Sequence, residues 1–114
     1  HTAKLSAPHT ICRPNAHHLY WSFAQHVAHH TVSGCNLRTG DLLATGTISG
    51  PAPDSLGSLL ELAWRGTRPI RLPSGESRVF LEDGDTVRMS GWCQGEGYRV
   101  GFGEVSGTVL PALR

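Results

Sequence analysis

Glycine is the feature that most constrains how this chain folds. Fourteen of its 114 residues are glycine, and most of them follow Gly46. They divide that part of the chain into short runs rich in β-branched and apolar residues, a pattern typical of strands joined by turns. The runs predicted as strands are 41–48, 59–64, 68–72, 79–81, 86–93, 98–102 and 105–110, with a hairpin turn at 73–76.

The segment before the glycine-rich part has the period of a helix. An apolar residue recurs every four positions from Leu19 to Val27, Asn15 precedes the run as a candidate N-cap, and Gly34 follows it as a stop. The pattern predicts a helix over about 17–31. One helix followed by many short strands predicts a mainly β fold with one helix, of the α+β class.

Length and composition limit the classes of protein to consider. A chain of 114 residues forms one small domain, 1–114, and a formal net charge of +1 with 17% charged residues argues against a nucleic-acid partner. No apolar run is long enough to span a membrane, and the spacing of the three cysteines favours reduced thiols. These features predict a soluble cytoplasmic protein. Because residue 1 is His rather than Met, we expect a piece of a longer chain.

Glu61 is the first candidate functional residue. Alternation along 59–64 places Leu60, Leu62 and Trp64 on one face of the predicted strand and Glu61 on the other. Periodicity alone favours a solvated carboxylate, since glutamate is rarely buried without a partner. The alternative is a carboxylate held among apolar neighbours, with a pKa tuned to orient or deprotonate a water.

A row of hydroxyls precedes Glu61 in the chain. Thr45, Thr47 and Ser49 alternate along the predicted strand 41–48 and its end. Such a row can bind a substrate carboxylate or carbonyl. It is equally typical of an ordinary exposed strand, because threonine is a good strand former.

Two polar clusters suggest metal sites only superficially. His26 and His30 share a helical face, with His29 adjacent, but no glutamate completes a zinc-protease pattern, so histidines at a helix C-terminus are favoured. Residues 82–85, Glu-Asp-Gly-Asp, lack the distal glutamate of a calcium loop. They belong to a pattern, Leu-x-x-Gly-Asp-x-apolar, that also occurs at 37–43. The repetition favours a turn used twice.

Three blocks of sequence resemble a known family. They include Gly-Cys-Asn-Leu-Arg within 29–51, Leu-Glu-Leu-x-Trp within 57–67, and Trp-Cys-Gln-Gly-Glu-Gly-Tyr within 91–103. Over about residues 10–113 the chain resembles the C-terminal part of the fumarylacetoacetase family. The run Gly-Asp-x-x-x-Thr-Gly-Thr alone would mark only the wider superfamily, which includes decarboxylases, isomerases and hydratases.

The resemblance implies a fold and a reaction. The fold is a mixed β-sandwich roll that forms homodimers. The reaction is hydrolysis of a carbon–carbon bond of 4-fumarylacetoacetate, giving fumarate and acetoacetate, the last step of tyrosine and phenylalanine breakdown, with Mg or Ca as cofactor. By motif, Thr47 matches the substrate-binding threonine of the family. Glu61 matches the catalytic glutamate that orients a histidine or its water.

The resemblance also implies that the site is incomplete here. The family's catalytic histidine, its metal-binding carboxylates and its oxyanion-stabilising residues match no position of this sequence. We therefore expect 1–114 to be the C-terminal portion of the catalytic domain, inactive alone, with the metal bound by residues outside it and with the preceding chain as partner. Two alternatives stay open: a superfamily relative acting on another diketo acid, and a β-rich binding module without catalysis.

Overall fold

The computed structural model describes residues 7–113, so His1 and the outer ends of the predicted domain 1–114 lie outside the described residues. The chain forms two compact units that divide after Val79. In chain order the elements are a 3₁₀ turn Ala16–His18, α1 Phe23–Thr31, a 3₁₀ turn Pro53–Ser55, α2 Leu59–Leu62, β1 Ile70–Arg71, β2 Ser77–Arg78, β3 Thr86–Gln94 and β4 Arg99–Thr108. The predicted α+β class is confirmed, with two helices instead of one.

The predicted helix over 17–31 begins too early. Asn15 caps only the first 3₁₀ turn, where its Oδ1 accepts from the His17 N–H at 2.9 Å. The α-helix begins after Ser22, which forms a capping box with Gln25. The Gln25 N–H donates to Ser22 Oγ at 3.3 Å, and the Ser22 N–H donates to Gln25 Oε1 at 2.8 Å. This cap fixes the start of the helix, although the apolar period continues across it.

Two strands predicted in the first unit are wrong. Residues 59–64 contain α2, because the Ser58 hydroxyl accepts from the Glu61 N–H at 3.3 Å and so caps a helix where the alternation predicted a strand. Residues 41–48 form no strand, since no segment within 7–113 pairs with them. An alternating pattern becomes a strand only where a neighbour completes its hydrogen bonds.

The hairpin predicted around 73–76 is confirmed. β1 and β2 are antiparallel, with Ile70 opposite Arg78, so the strand predicted at 79–81 lies two residues earlier. The Leu72 N–H donates to the Glu76 carbonyl at 2.8 Å, and Gly75 adopts a φ of 90°. This left-handed conformation costs glycine little, which explains its position in the turn.

β3 and β4 form a long antiparallel ribbon in the second unit. The strands predicted at 98–102 and 105–110 form one continuous strand, β4. Gly103, which lies between them, belongs to a β-bulge and does not end the strand. Ser90 faces Glu104 and Trp92 faces Gly101, so β4 has one extra residue opposite Gly91. Within the bulge Gly103 has a φ of 78°, the left-handed conformation typical of this irregularity.

Little of the described chain is buried. Ala63 is the one buried apolar residue within 7–113, at 0% exposure. On the ribbon, Met89 and Phe102 remain 62% and 70% exposed. A two-stranded ribbon is marginally stable by itself. Exposed apolar side chains therefore line the β3–β4 ribbon.

The repeated Leu-x-x-Gly-Asp pattern forms the same turn twice. The Arg38 N–H donates to Asp41 Oδ2 at 2.8 Å, and the Asp41 N–H donates to the Arg38 carbonyl at 3.1 Å. Glu82 and Asp85 make the equivalent bonds at 2.9 and 3.0 Å. The glycine before each aspartate has a φ of 95° and 92° respectively. The prediction of a reused turn is confirmed, and 82–85 is one of its two copies.

Candidate functional site

A compact loop brings Ser49 beside the start of α2. The Gly50 N–H donates to the Ser55 carbonyl at 2.9 Å, and the Gly57 N–H donates to Ser49 Oγ at 3.0 Å. The buried Ser55 hydroxyl accepts from the Ala52 N–H at 3.0 Å and donates to the Ala52 carbonyl at 2.8 Å. The loop over 49–57 thus has its ends close together, as in an Ω-loop.

This loop and the N-cap of α2 each place one hydroxyl on the Glu61 carboxylate. Ser49 Oγ lies 2.9 Å from Oε1 and 2.8 Å from Oε2 of Glu61. Ser58 Oγ donates to Oε2 at 2.8 Å. Glu61 is half-buried in the first turn of α2. The strand position predicted for it is wrong, because residues 59–62 form α2. Its carboxylate accepts hydrogen bonds from two serines and stays partly exposed.

The two hydroxyls also favour the charged form of the carboxyl group. The Ser58 hydroxyl, and after it the Ser49 hydroxyl, hold the pKa of Glu61 below its ordinary value; partial burial opposes them, and the Gly57 and Ser58 amides add to the lowering. Glu61 is therefore ionised at neutral pH and can only accept hydrogen bonds. A low pKa suits a group that orients a donor better than one that takes up a proton near pH 7.

Glu61 borders an open cleft of about 460 Å³. Its polar lining comes from Thr47, Ser49, Ser58 and Glu61, joined by His18 and Tyr20 from the segment before α1. The size falls in the range of small-molecule sites, and the mixture of hydroxyls with one carboxylate suits a small polar ligand. The cleft can supply hydroxyl donors and one anionic acceptor to such a molecule.

A second hollow, of about 640 Å³, adjoins the other end of α2. Leu56, Leu60, Trp64 and Arg65 line it together with Glu61. Trp64 and Arg65 have φ angles of 46° and 57°, a conformation that costs non-glycine residues energy. The Arg68 guanidinium lies 4.4 Å from the centre of the Trp64 ring, in cation–π contact. Arg68 thus packs on the protein's own surface.

Of the three hydroxyls singled out in the sequence, two lie in the cleft. Thr47 and Ser49 line it with Glu61. Thr45 instead donates to the adjacent Gly46 carbonyl at 3.1 Å. The sequence reasoning missed Ser58, although Ser-x-x-Glu is the spacing of a capping box and indicated both the helix and the contact.

The contacts of His26 and His30 differ from those of metal ligands. His30 Nε2 lies 3.4 Å from Cys35 Sγ, and His26 Nε2 is buried without a hydrogen-bond partner. Across residues 7–113, no group of three or more His, Cys, Asp or Glu side chains is placed to hold a metal ion. These residues do not fit Mg or Ca, so we derive no chemical step through a metal.

Comparison with known proteins identifies the family. The profile of the fumarylacetoacetate (FAA) hydrolase C-terminal family matches residues 9–110. The chain belongs to this family. It is 58% identical to human fumarylacetoacetase over 109 residues, which cover 96% of this chain and 26% of the human protein.

Relatives from other organisms give the same result for this family segment. Identity is 52% over 111 residues with fumarylacetoacetase of Dictyostelium discoideum and 58% over 102 residues with that of Arabidopsis thaliana. These matches cover 96% and 90% of this chain, but 26% and 24% of the relatives. The chain thus spans about a quarter of the length of the curated relatives it matches.

Among its described helices, none combines the length and apolar character needed to cross a membrane.

Proposed function

We propose that this chain is the C-terminal portion of the catalytic domain of an enzyme that hydrolyses 4-fumarylacetoacetate to fumarate and acetoacetate, completing tyrosine and phenylalanine breakdown. The name and identity of its relatives support this assignment. The observation that carries it is the Glu61 carboxylate, held by two serines on a cleft that also contains Thr47. Both motif residues of the family thus border one space of suitable size.

In the proposed reaction, water adds to a carbonyl carbon of the substrate, and the electrons of the broken carbon–carbon bond leave with the acetoacetate portion, which takes a proton. Glu61 accepts a hydrogen bond from the histidine or water that begins this step, because its low pKa keeps it anionic. Thr47 donates its hydroxyl to a carbonyl or carboxylate oxygen of the diketo acid. The histidine comes from outside this segment.

The remaining parts of the proposal concern what surrounds the segment. Mg or Ca is bound by residues outside this chain, and the preceding part of the protein and a second copy complete a mixed β-sandwich roll and a homodimer. The exposed apolar side chains of β3 and β4 support a covering partner. A cytoplasmic location accords with the three free thiols, Cys12, Cys35 and Cys93. No nucleic acid or membrane takes part.

The test is Glu61→Gln in the full-length protein. We expect kcat to fall at least ~100-fold, the scale typical of acid–base groups, because the amide of glutamine presents a neutral, partly donating end where the reaction needs an anionic acceptor. The assay follows loss of 4-fumarylacetoacetate.

Glu76→Gln is the matched control, since Glu76 is exposed in the hairpin between β1 and β2, away from the cleft lining. Near-normal turnover of Glu61→Gln would remove Glu61 from the mechanism. Comparing kcat/KM for 4-fumarylacetoacetate and other diketo acids establishes the substrate.

A further inference from the structure

Each hydroxyl on Glu61 is itself fixed by a backbone N–H group. The Gly57 N–H donates to Ser49 Oγ at 3.0 Å, and the Glu61 N–H donates to Ser58 Oγ at 3.3 Å. A serine hydroxyl has one proton to donate and lone pairs with which to accept. Because an amide occupies the accepting side of each oxygen, the proton of each hydroxyl points to the carboxylate. Two short chains of hydrogen bonds result, and each runs from an amide through a hydroxyl to the carboxylate.

The two serine hydroxyls are distributed unequally over the two carboxylate oxygens. Among the described side chains, Oε2 receives both hydroxyls, at 2.8 Å each, whereas Oε1 receives the shared Ser49 hydroxyl at 2.9 Å. The single Ser49 proton divides between the two oxygens. Oε1 therefore keeps the greater capacity to accept a further hydrogen bond from a donor in the cleft.

We propose that Ser49 and Ser58 are positioning residues for catalysis, which fix the Glu61 carboxylate so that Oε1 is presented to the donor it orients. The inference rests on the proposed function, since it concerns how Glu61 performs its role. It assigns a task to two residues that touch Glu61 and act through it.

Other polar groups near Glu61 do not replace the serines. His18 and Tyr20 reach the cleft from the segment before α1, and Arg65 lies on the second hollow after α2. The hydrogen bonds to the carboxylate come from Ser49 and Ser58 in the described chain. Removing both serines frees the carboxylate to rotate and raises its pKa, because the two leading causes of the lowering are lost.

The decisive experiment is a double-mutant cycle in the full-length enzyme. Ser49→Ala should lower kcat roughly tenfold, the loss typical of a hydrogen bond to a charged group, and leave KM within about threefold. In the Glu61→Gln background the same substitution should change kcat less than about twofold, because the serine acts through the glutamate. Ser49→Thr and Ser58→Thr retain the hydroxyl and should restore most of the activity.

The pH dependence gives a second readout. Wild-type Glu61 stays ionised to lower pH than Glu61 in the Ser49→Ala/Ser58→Ala variant, whose carboxyl pKa is higher. The ratio of variant to wild-type kcat/KM should therefore fall as the pH is lowered from about 7.5 through the ordinary carboxyl pKa of 4.5, a comparison in which shared titrations cancel. A merely structural loss would leave this ratio constant.

The outcomes separate this inference from the proposed function. Equal effects of Ser49→Ala in the wild-type and Glu61→Gln backgrounds, or a ratio that does not change with pH, would overturn the role of the serines while Glu61 remains catalytic. Normal turnover of Glu61→Gln would instead contradict the proposed function itself. Circular dichroism and the threonine variants show whether a loss of activity reflects misfolding.

Discussion

Gly57 shows how a single atom controls the site. A Cβ at this position would collide with the Ile48 carbonyl oxygen and would lie 2.9 Å from Thr47 Cγ2. The same residue supplies the N–H group that fixes Ser49. Because Gly57 has no side chain, Thr47 and Ile48 can lie close to it while its N–H group stays bonded to Ser49.

We expect Gly57→Ala to destabilise the full-length protein by about 1–3 kcal/mol, the usual cost of overpacking, and to lower kcat through loss of the Ser49 contact. Urea denaturation and steady-state kinetics measure the two effects. Gly107→Ala is the control, because an added Cβ there has no atom within 4 Å. Equal behaviour of the two variants would show that close packing at Gly57 is unimportant.

At the residue level, motifs indicated which residues share the cleft better than periodicity did. Thr47 and Glu61, placed by their motifs, both border the cleft. Alternation failed for Glu61 because a local N-cap at Ser58 outweighs a two-residue pattern that is only six residues long. His18 could not be found from sequence, since only the folded path of the segment before α1 brings it to the cleft.

At the level of elements, α1 depends on its N-terminal cap. A nine-residue helix is too short to be stable alone, so its orphan N–H groups matter. Ser22→Ala removes the acceptor of the Gln25 N–H and should destabilise the helix by about 1 kcal/mol.

Hydrogen exchange of the α1 amides in the full-length protein measures this change. Gln25→Ala is the companion variant, since it removes the reverse bond to the Ser22 N–H and leaves the serine acceptor in place; it should have the smaller effect. Unchanged exchange in Ser22→Ala would show that tertiary contacts, and not the capping box, hold the helix.

Prediction of elements was best where hydrogen-bonding partners are close in sequence. β3 was placed almost to the residue, and the hairpin at 73–76 was found because turn residues separate two adjacent strands. The strand at 41–48 was wrong because its pairing depends on partners that the described chain does not supply. The sequence predicted two strands where β4 is one, because Gly103 was taken as the end of a strand although it lies in a bulge.

At the level of the whole molecule, the described chain exposes more apolar side chains than it buries. We expect the isolated 114-residue chain to have no hydrolase activity and to bind Mg only as weakly as a generic acidic surface. Within 7–113 no cluster of ligands is placed to hold a metal. Isothermal titration calorimetry with MgCl₂ tests this, and a tight stoichiometric site would contradict it.

The full-length protein is the control for that titration. There the proposed outside ligands are present, and we expect stoichiometric binding of Mg or Ca. The finer architecture could not be obtained from this sequence, because the faces of packed sheets are defined by what packs across them, and apolar residues of β3 and β4 are exposed in the described chain.

The turn that occurs at both Arg38–Asp41 and Glu82–Asp85 has a consequence for how the chain folds. The two bonds that both copies share join residues three positions apart, and the aspartate side chain supplies an acceptor that a neighbouring strand would otherwise provide. Closing so short a loop costs little chain entropy and is fast compared with pairing distant segments. The two turns can therefore form early in folding, before distant segments pair, and they fix the local direction of the chain at that stage.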